Sequence, residues 1–159
     1  MAGSIKNFKP SIYSRYEQGY YVPHNKHKYK GDIDKIIIRS SYEKRMCQIC
    51  DGTPEIIEWS SEPIAIRYIS EVDGKTHNYW LDFWMKMNDG REFIVEVKPT
   101  GKLKAPKKPK KRTDKALYNY SIRMKEYLVN YSKFKAASEF AKQTGMQFII
   151  AEETFLKIK

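Results

Sequence analysis

The stretch YWLDFWMKMNDGREFIVEVK, Tyr79 to Lys98, decides how this chain folds. Its first half is aromatic and apolar, and its centre is Asn88-Asp89-Gly90. Its second half alternates Phe93, Val95 and Val97 with Ile94, Glu96 and Lys98. Side chains on a strand point to opposite faces in turn, so the pattern predicts two antiparallel strands, 76–87 and 91–98, joined by a tight turn. A three-residue loop with glycine in the left-handed region pairs Met87 with Arg91 and, counting back, Asp82 with Glu96. A two-residue loop instead opposes Asp82 to Val97 and turns Glu96 to the other face, because a slip of one residue reverses every side chain. Pro99 closes the second strand, having no N–H for a ladder.

The first register carries chemistry. Asp82 is expected on the face of Trp80 and Trp84, with Leu81 and Phe83 on the other, so an acid sits among bulky, desolvating neighbours. A carboxylate there needs a cation, a metal or hydrogen bonds. Two opposed carboxylates about 5 Å apart repel each other, and a hard divalent cation resolves the conflict through oxygen ligation. Magnesium is the natural ion and manganese a substitute. Lys98, on the face of Glu96, is placed to hold an attacking water or to neutralise charge in a phosphoryl transition state. A surface ladder of salt bridges is the plain alternative, and it accounts poorly for the apolar surroundings.

Outward from this hairpin, Ile36 to Ile38 is a short apolar run. Ser40 or Ser41 then reads as the cap of a helix reaching about Asp51, which Gly52 and Pro54 end. Short β-rich stretches follow at 55–59 and 64–69, and Asp73-Gly74 marks a hairpin. Downstream, KLKAPKKPKKR (102–112) is a solvated loop. A long helix is expected from after Thr113 to before Gly145, with a break near Asn130 and a stripe of Leu117, Tyr120, Met124, Tyr127, Leu128, Tyr131, Phe134 and Phe140. Residues 146–151 read as a buried strand. This order implies an α/β sandwich with a mixed central sheet flanked by helices, closed by a right-handed crossover. Residues 1–34 carry Tyr13, Tyr16, Tyr20, Tyr21 and Tyr29 without period and read as an N-terminal arm packed on a domain formed by 35–159.

The 159 residues suit one domain. No apolar run approaches the roughly 18 residues of a spanning helix, and MAGSIKNFKPS lacks a secretory segment, so the expectation is a soluble intracellular protein without a membrane partner. Thirty basic residues against nineteen acidic ones give +11 and a pI near 9.5. Such an excess points to a polyanion, and DNA is the first partner to consider. Seven of the charges, Lys102, Lys104, Lys107, Lys108, Lys110, Lys111 and Arg112, lie just after the strand bearing Glu96 and Lys98, where they are placed to grip phosphates.

Asp82 followed by Glu96-Val97-Lys98 resembles the signature of the PD-(D/E)XK nuclease superfamily, an acid, a spacer, then acid, any residue, lysine. Leu81 stands where the signature has proline. The resemblance implies a restriction-endonuclease-like fold and a Mg²⁺-dependent deoxyribonuclease. Glu43, Asp82, Glu96 and Val97 would lie at the metal, with Glu43, Asp82, Glu96 and Lys98 catalytic. Segments 27–32, 39–43, 59–62, 79–83 and 96–99 are similar to the head completion nucleases of tailed bacteriophages, which are related to transposon endonuclease subunits. That likeness implies trimming or protection of genome ends in the host cytoplasm, head or portal proteins as partners, and a place in the virion. It also makes Glu62 and Ser41 candidates to support the site.

Two other readings of function stand beside it. One is a DNA-binding packaging or virion protein without catalysis, and the other is a junction-resolving or transposon-type endonuclease with a different substrate. Cys47 and Cys50, with His24 and His27, make a zinc set conceivable, but a pair late in a helix reads better as two buried thiols. Glu58 is expected to face solvent, and His77 to be a strand-end residue with no evident acid partner.

Overall fold

Ser40, in extended conformation, accepts the Glu43 N–H at 3.1 Å and starts helix α1, Ser41–Gly52. Of the two serines read as caps, Ser40 is the one used. The computed structural model describes residues 18–157, so Tyr13 and Tyr16 of the expected arm lie outside the described residues. Short strands β1 (Gly19–Tyr20) and β2 (Ile37–Ile38) pair antiparallel ahead of α1. Then follow β3 (Ile56–Ser61), β4 (Ala65–Ile69), β5 (Thr76–Trp80), β6 (Phe83–Met87), β7 (Glu92–Val97), helix α2 (Asp114–Thr144), β8 (Gln147–Ala151) and the short helix α3 (Glu153–Leu156).

The central sheet runs β3-β6-β7-β8, antiparallel except for the parallel pair β7 and β8, which α2 connects. It is the mixed sheet flanked by helices that the sequence implied, of restriction-endonuclease-like type. One face packs on α1 and α3 through Met46, Cys47, Cys50, Trp59, Phe83, Val95 and Leu156; the other packs on α2 and the β4–β5 hairpin through Ile66, Tyr79, Leu81, Ile94, Ala137 and Ala141. Among the described residues no helix is long and apolar enough to cross a membrane.

The segment 76–87 is two strands rather than one. Tyr79 and Leu81 lie in the α2-side core while Phe83 and Met85 lie in the α1-side core, although all four share odd parity. The alternation therefore breaks at Asp82. Leu81 N–H continues the hairpin ladder to Ile64, whereas the Asp82 carbonyl accepts from Glu62 in the central sheet. Trp80 is 40% exposed, so it does not share the environment of Asp82 as expected; Trp84 packs on the α2-side core.

Helix α2 is continuous through Asn130, contrary to the expected break. Its 31 residues span about 46 Å, while five- and six-residue strands span only about 17–20 Å. The helix therefore overhangs the sheet. Its second half buries Asn130, Ser132, Ala137 and Ala141, and its first half leaves Leu117, Tyr118 and Ile122 exposed, so the expected stripe is not buried throughout. Strand β8 is likewise an edge strand, fully buried only at Ala151.

Of the N-terminal tyrosines that are described, Tyr21 and Tyr29 meet Trp59 edge-on, with ring centroids at 6.2 and 4.7 Å. Buried Lys28 donates to the carbonyls of Asp51 (3.0 Å) and Thr53 (2.7 Å), satisfying acceptors where α1 ends. The similar segment at 27–32 thus holds the sheet to the helix. Cys47 and Cys50 are sealed in the core as free thiols whose titration burial pushes far up, whereas His24 and His27 are exposed.

Candidate active site

The turn after β6 sets the geometry. Gly90 takes φ +89°, Met87 N–H donates to the Arg91 carbonyl at 2.8 Å, and Phe83 pairs with Val95 and Trp84 with Ile94. This is the three-residue loop, and it brings Asp82 opposite Glu96 at the end of the ladder. The Val97 N–H donates to Asp82 Oδ2 at 2.7 Å, fixing the aspartate across the strand gap. Glu96 is 3% exposed. Lys98 Nζ lies 2.8 Å from its Oε1, and the Tyr79 hydroxyl donates to its Oε2 at 2.5 Å. Asp82, Glu96 and Lys98 therefore meet where the chain leaves the sheet.

Burial and like charge dominate the electrostatics of the acid pair. Burial, and then the negative charge of Glu96, hold the Asp82 carboxyl well above the usual carboxylate range, more than the Val97 N–H and Lys98 offset. Burial works against the Lys98 ammonium, but the charge and hydrogen bond of Glu96 outweigh it and raise its pKa. Lys98 stays cationic. Burial also drives the Tyr79 phenol far up, assisted by the Glu96 charge, so Tyr79 acts as a neutral donor.

Glu43, third residue of α1, accepts the Arg39 N–H at 2.8 Å and the Ser40 hydroxyl at 3.3 Å. These contacts cap the helix by themselves. Burial nonetheless raises the Glu43 carboxyl, the Glu62 charge adds to it, and the Glu43 charge in turn acts on Asp82. Glu43 thus borders the pair from the helix side. Glu62 binds the pair through its backbone N–H, which donates to the Asp82 carbonyl at 2.9 Å, while its side chain forms an ion pair with Arg39. Its positive φ of 46° turns the chain from β3 toward β4. Ser41 is the exposed first residue of α1.

A divalent cation fits the donors present. Asp82, Glu96 and Glu43 offer hard oxygens, and the raised Asp82 carboxyl is the cost a cation would relieve. Among the described residues no three acidic, imidazole or thiol side chains already form a ligand cage.

The basic loop 102–112 is exposed at every lysine and at Arg112, and Lys102 reaches back to Glu126 of α2 at 2.8 Å. Glu58, half-buried rather than freely solvated, pairs with Lys30 at 3.1 Å. His77 is exposed on β5 but does have an acid partner, Asp73 at 2.9 Å across the turn. Sequence reading missed Tyr79 as a site residue. Its only signal was membership of a similar segment, since it stands in a different sheet from Glu96.

Comparison with known proteins identifies the family. Residues 53–153 match the family described as TnsA-like endonuclease N terminal. The chain is also 39% identical over 139 residues to the head completion nuclease of Enterobacteria phage T4, an alignment covering 87% of this chain and 93% of that protein.

Proposed function

Since the chain belongs to the TnsA-like endonuclease N-terminal family, we propose that it is a Mg²⁺-dependent deoxyribonuclease, Mn²⁺ serving in its place, that hydrolyses phosphodiester bonds at DNA ends during phage head completion. The observation that carries this reading is Asp82, held by the Val97 N–H one position beyond the Phe83–Val95 pair and within reach of the Glu96 charge, with Lys98 ion-paired to Glu96 at the same strand end. Asp82, Glu96, the backbone carbonyl of Val97 and, from α1, Glu43 would hold the cation. When bound it polarises a phosphoryl oxygen and acidifies water.

The chain's own residues set the remaining steps. The Val97 N–H holds Asp82, and Tyr79 and Lys98 hold Glu96, so the acids are oriented before substrate arrives. The Lys98 ammonium stabilises charge building on the phosphoryl group and places an attacking water. Lysines and Arg112 of the 102–112 loop draw the backbone toward this point. Head or portal proteins as partners, and the host cytoplasm or the virion as the setting, complete the proposal; of these the name of the T4 relative speaks of the head alone.

Incubation with linear duplex, circular single-stranded and branched DNA, with and without Mg²⁺, tests the reading. Cleavage of linear DNA only with the ion is expected. Binding without Mg²⁺- or Mn²⁺-dependent cleavage would return the chain to the DNA-binding packaging class, and cleavage confined to branched DNA would make it a junction enzyme.

A further inference from the structure

Directly beyond Lys98, the chain from Pro99 to Pro106 and the α2 turn from Arg123 to Tyr127 enclose a cleft of about 460 Å³. Its two sides are tied together by Lys102 Nζ, which holds both oxygens of Glu126 at 2.8 Å. That pair neutralises itself. Lys104 and Arg123 also line the cleft, are exposed, and pair with no acid among the described residues. Pro106 and the half-buried Tyr127 provide apolar wall. The cleft adjoins the catalytic residues, because Pro99 follows Lys98 in the chain and the Glu126 charge acts on the Lys98 ammonium.

The surroundings define the ligand's charge. Residues 102–125 contain ten basic side chains and one acid, Asp114, so this side of the protein attracts polyanions. The volume lies within the range of a small-molecule site and admits one nucleotide, while a base-paired duplex is far too wide to enter. Cations for a phosphate, an aromatic ring for a base face and a single-nucleotide volume combine as they do in sites for unpaired strands.

We propose that the cleft between Pro99–Pro106 and Arg123–Tyr127 binds an unpaired deoxynucleotide next to the phosphate being cut, its base on Tyr127 and its phosphate at Lys104 and Arg123. The proposal rests on the nuclease reading above and deepens it. The preferred substrate is then a DNA end with an unpaired strand, an overhang or a frayed terminus, rather than a blunt duplex. An acidic protein segment is the other occupant the charge admits, but it has less use than a base for the aromatic and proline side chains, Tyr127 and Pro106, that line the cleft.

The test measures binding, with cleavage silenced by Asp82→Asn and no divalent ion present, so it stands even if cleavage itself fails. Probes are a blunt duplex and the same duplex with three unpaired nucleotides at the 5′ or 3′ end, the unpaired bases including 2-aminopurine. One of the overhang probes should bind about tenfold tighter than the blunt duplex, as stacking of a base on an aromatic side chain gives, and its 2-aminopurine fluorescence should fall on binding. Tyr127→Leu should cut the advantage to about twofold or less and restore the fluorescence, while Tyr127→Phe, which keeps the ring, should preserve both. Arg123→Ser should lower the logarithmic salt slope for the overhang by about one. Equal affinity for blunt and overhang probes, or a preference that Tyr127→Leu leaves intact or Tyr127→Phe abolishes, overturns the proposal.

Discussion

The hydroxyl of Tyr79, on β5, donates to Glu96 Oε2, on β7, at 2.5 Å, although the two strands belong to different sheets. Lys133 of α2 stands over the Tyr79 ring, 5.2 Å from its centroid. The β4–β5 hairpin and α2 thereby meet at one acid of the candidate site. Partners that orient a metal-binding side chain commonly account for about 10- to 100-fold in metal affinity or activity. Tyr79→Phe keeps the packing and removes the donor, so the Mg²⁺ concentration for half-maximal cleavage should rise about tenfold. A magnesium titration of cleavage rate reads this, and an unchanged requirement would assign Tyr79 to packing alone.

Burial and the charge of Glu96 make the Asp82 carboxylate costly, a cost that a bound cation would relieve. Mg²⁺ at about ten times its dissociation constant should stabilise the parent by about 1.4 kcal/mol, raising Tm by about 3–5 °C. Asp82→Asn removes one charge of the pair, so its Tm without metal should exceed the parent's, its response to Mg²⁺ should vanish, and cleavage should cease while DNA binding persists. Thermal melts with and without Mg²⁺, alongside a cleavage assay, check each part.

For Glu43 the structure offers two roles, helix cap and neighbour of the acid pair. Glu43→Gln retains an acceptor for the Arg39 N–H and removes the charge. A role at the metal predicts a higher Mg²⁺ requirement with a loss of stability within about 1 kcal/mol, the scale of one cap. Urea unfolding together with a magnesium titration separates the roles, because a cap alone leaves the titration unmoved.

The outer part of the basic loop, Lys107, Lys108, Lys110, Lys111 and Arg112, lies beyond the cleft and is solvent-exposed. If three or four of these five grip phosphates, changing all five to serine should lower the logarithmic salt slope of duplex affinity by roughly three, at about 0.9 for each phosphate no longer neutralised. Binding over a salt series checks this, and matching slopes would mean that the loop is only solvated.

Asp51 joins the N-terminal segment to α1, accepting from the backbone N–H groups of His24 (2.8 Å) and Asn25 (2.9 Å) and from the Tyr21 hydroxyl (3.2 Å). Burial works to raise its carboxyl, but these donors together hold it below the usual range. On acidification the unfolded chain takes up this proton first, so the stabilisation is full above about pH 5 and lost progressively as pH falls through about 4 and below. Asp51→Ala should lower stability near neutrality by about 2–4 kcal/mol through stranded donors, and the acid sensitivity left between about pH 5 and 3 should be shallower. Denaturant unfolding at several pH values measures both.

What the sequence determined by itself is the hairpin that aligns the acids. Gly90 and the alternation from Phe93 to Lys98 act between neighbours in the chain, so the hairpin and the shared face of Glu96 and Lys98 follow from local sterics, whereas the choice between a two- and a three-residue loop, and with it the register, was made by the folded structure. The cap and span of α1 and the limits of α2 were legible for the same reason. The break at Asp82 was not, because Leu81 and Phe83 are both apolar and nothing local says that one belongs to the α2-side core and the other to the α1-side core. Only packing of two sheets on two helices separates them. The overhang of α2 likewise depends on a mismatch in length between helix and strands. The hydrogen bond from Tyr79 to Glu96 is of this kind too: the residues lie 17 positions apart in separate sheets, no periodicity relates them, and they meet only because the hairpin, the central sheet and α2 share one buried layer.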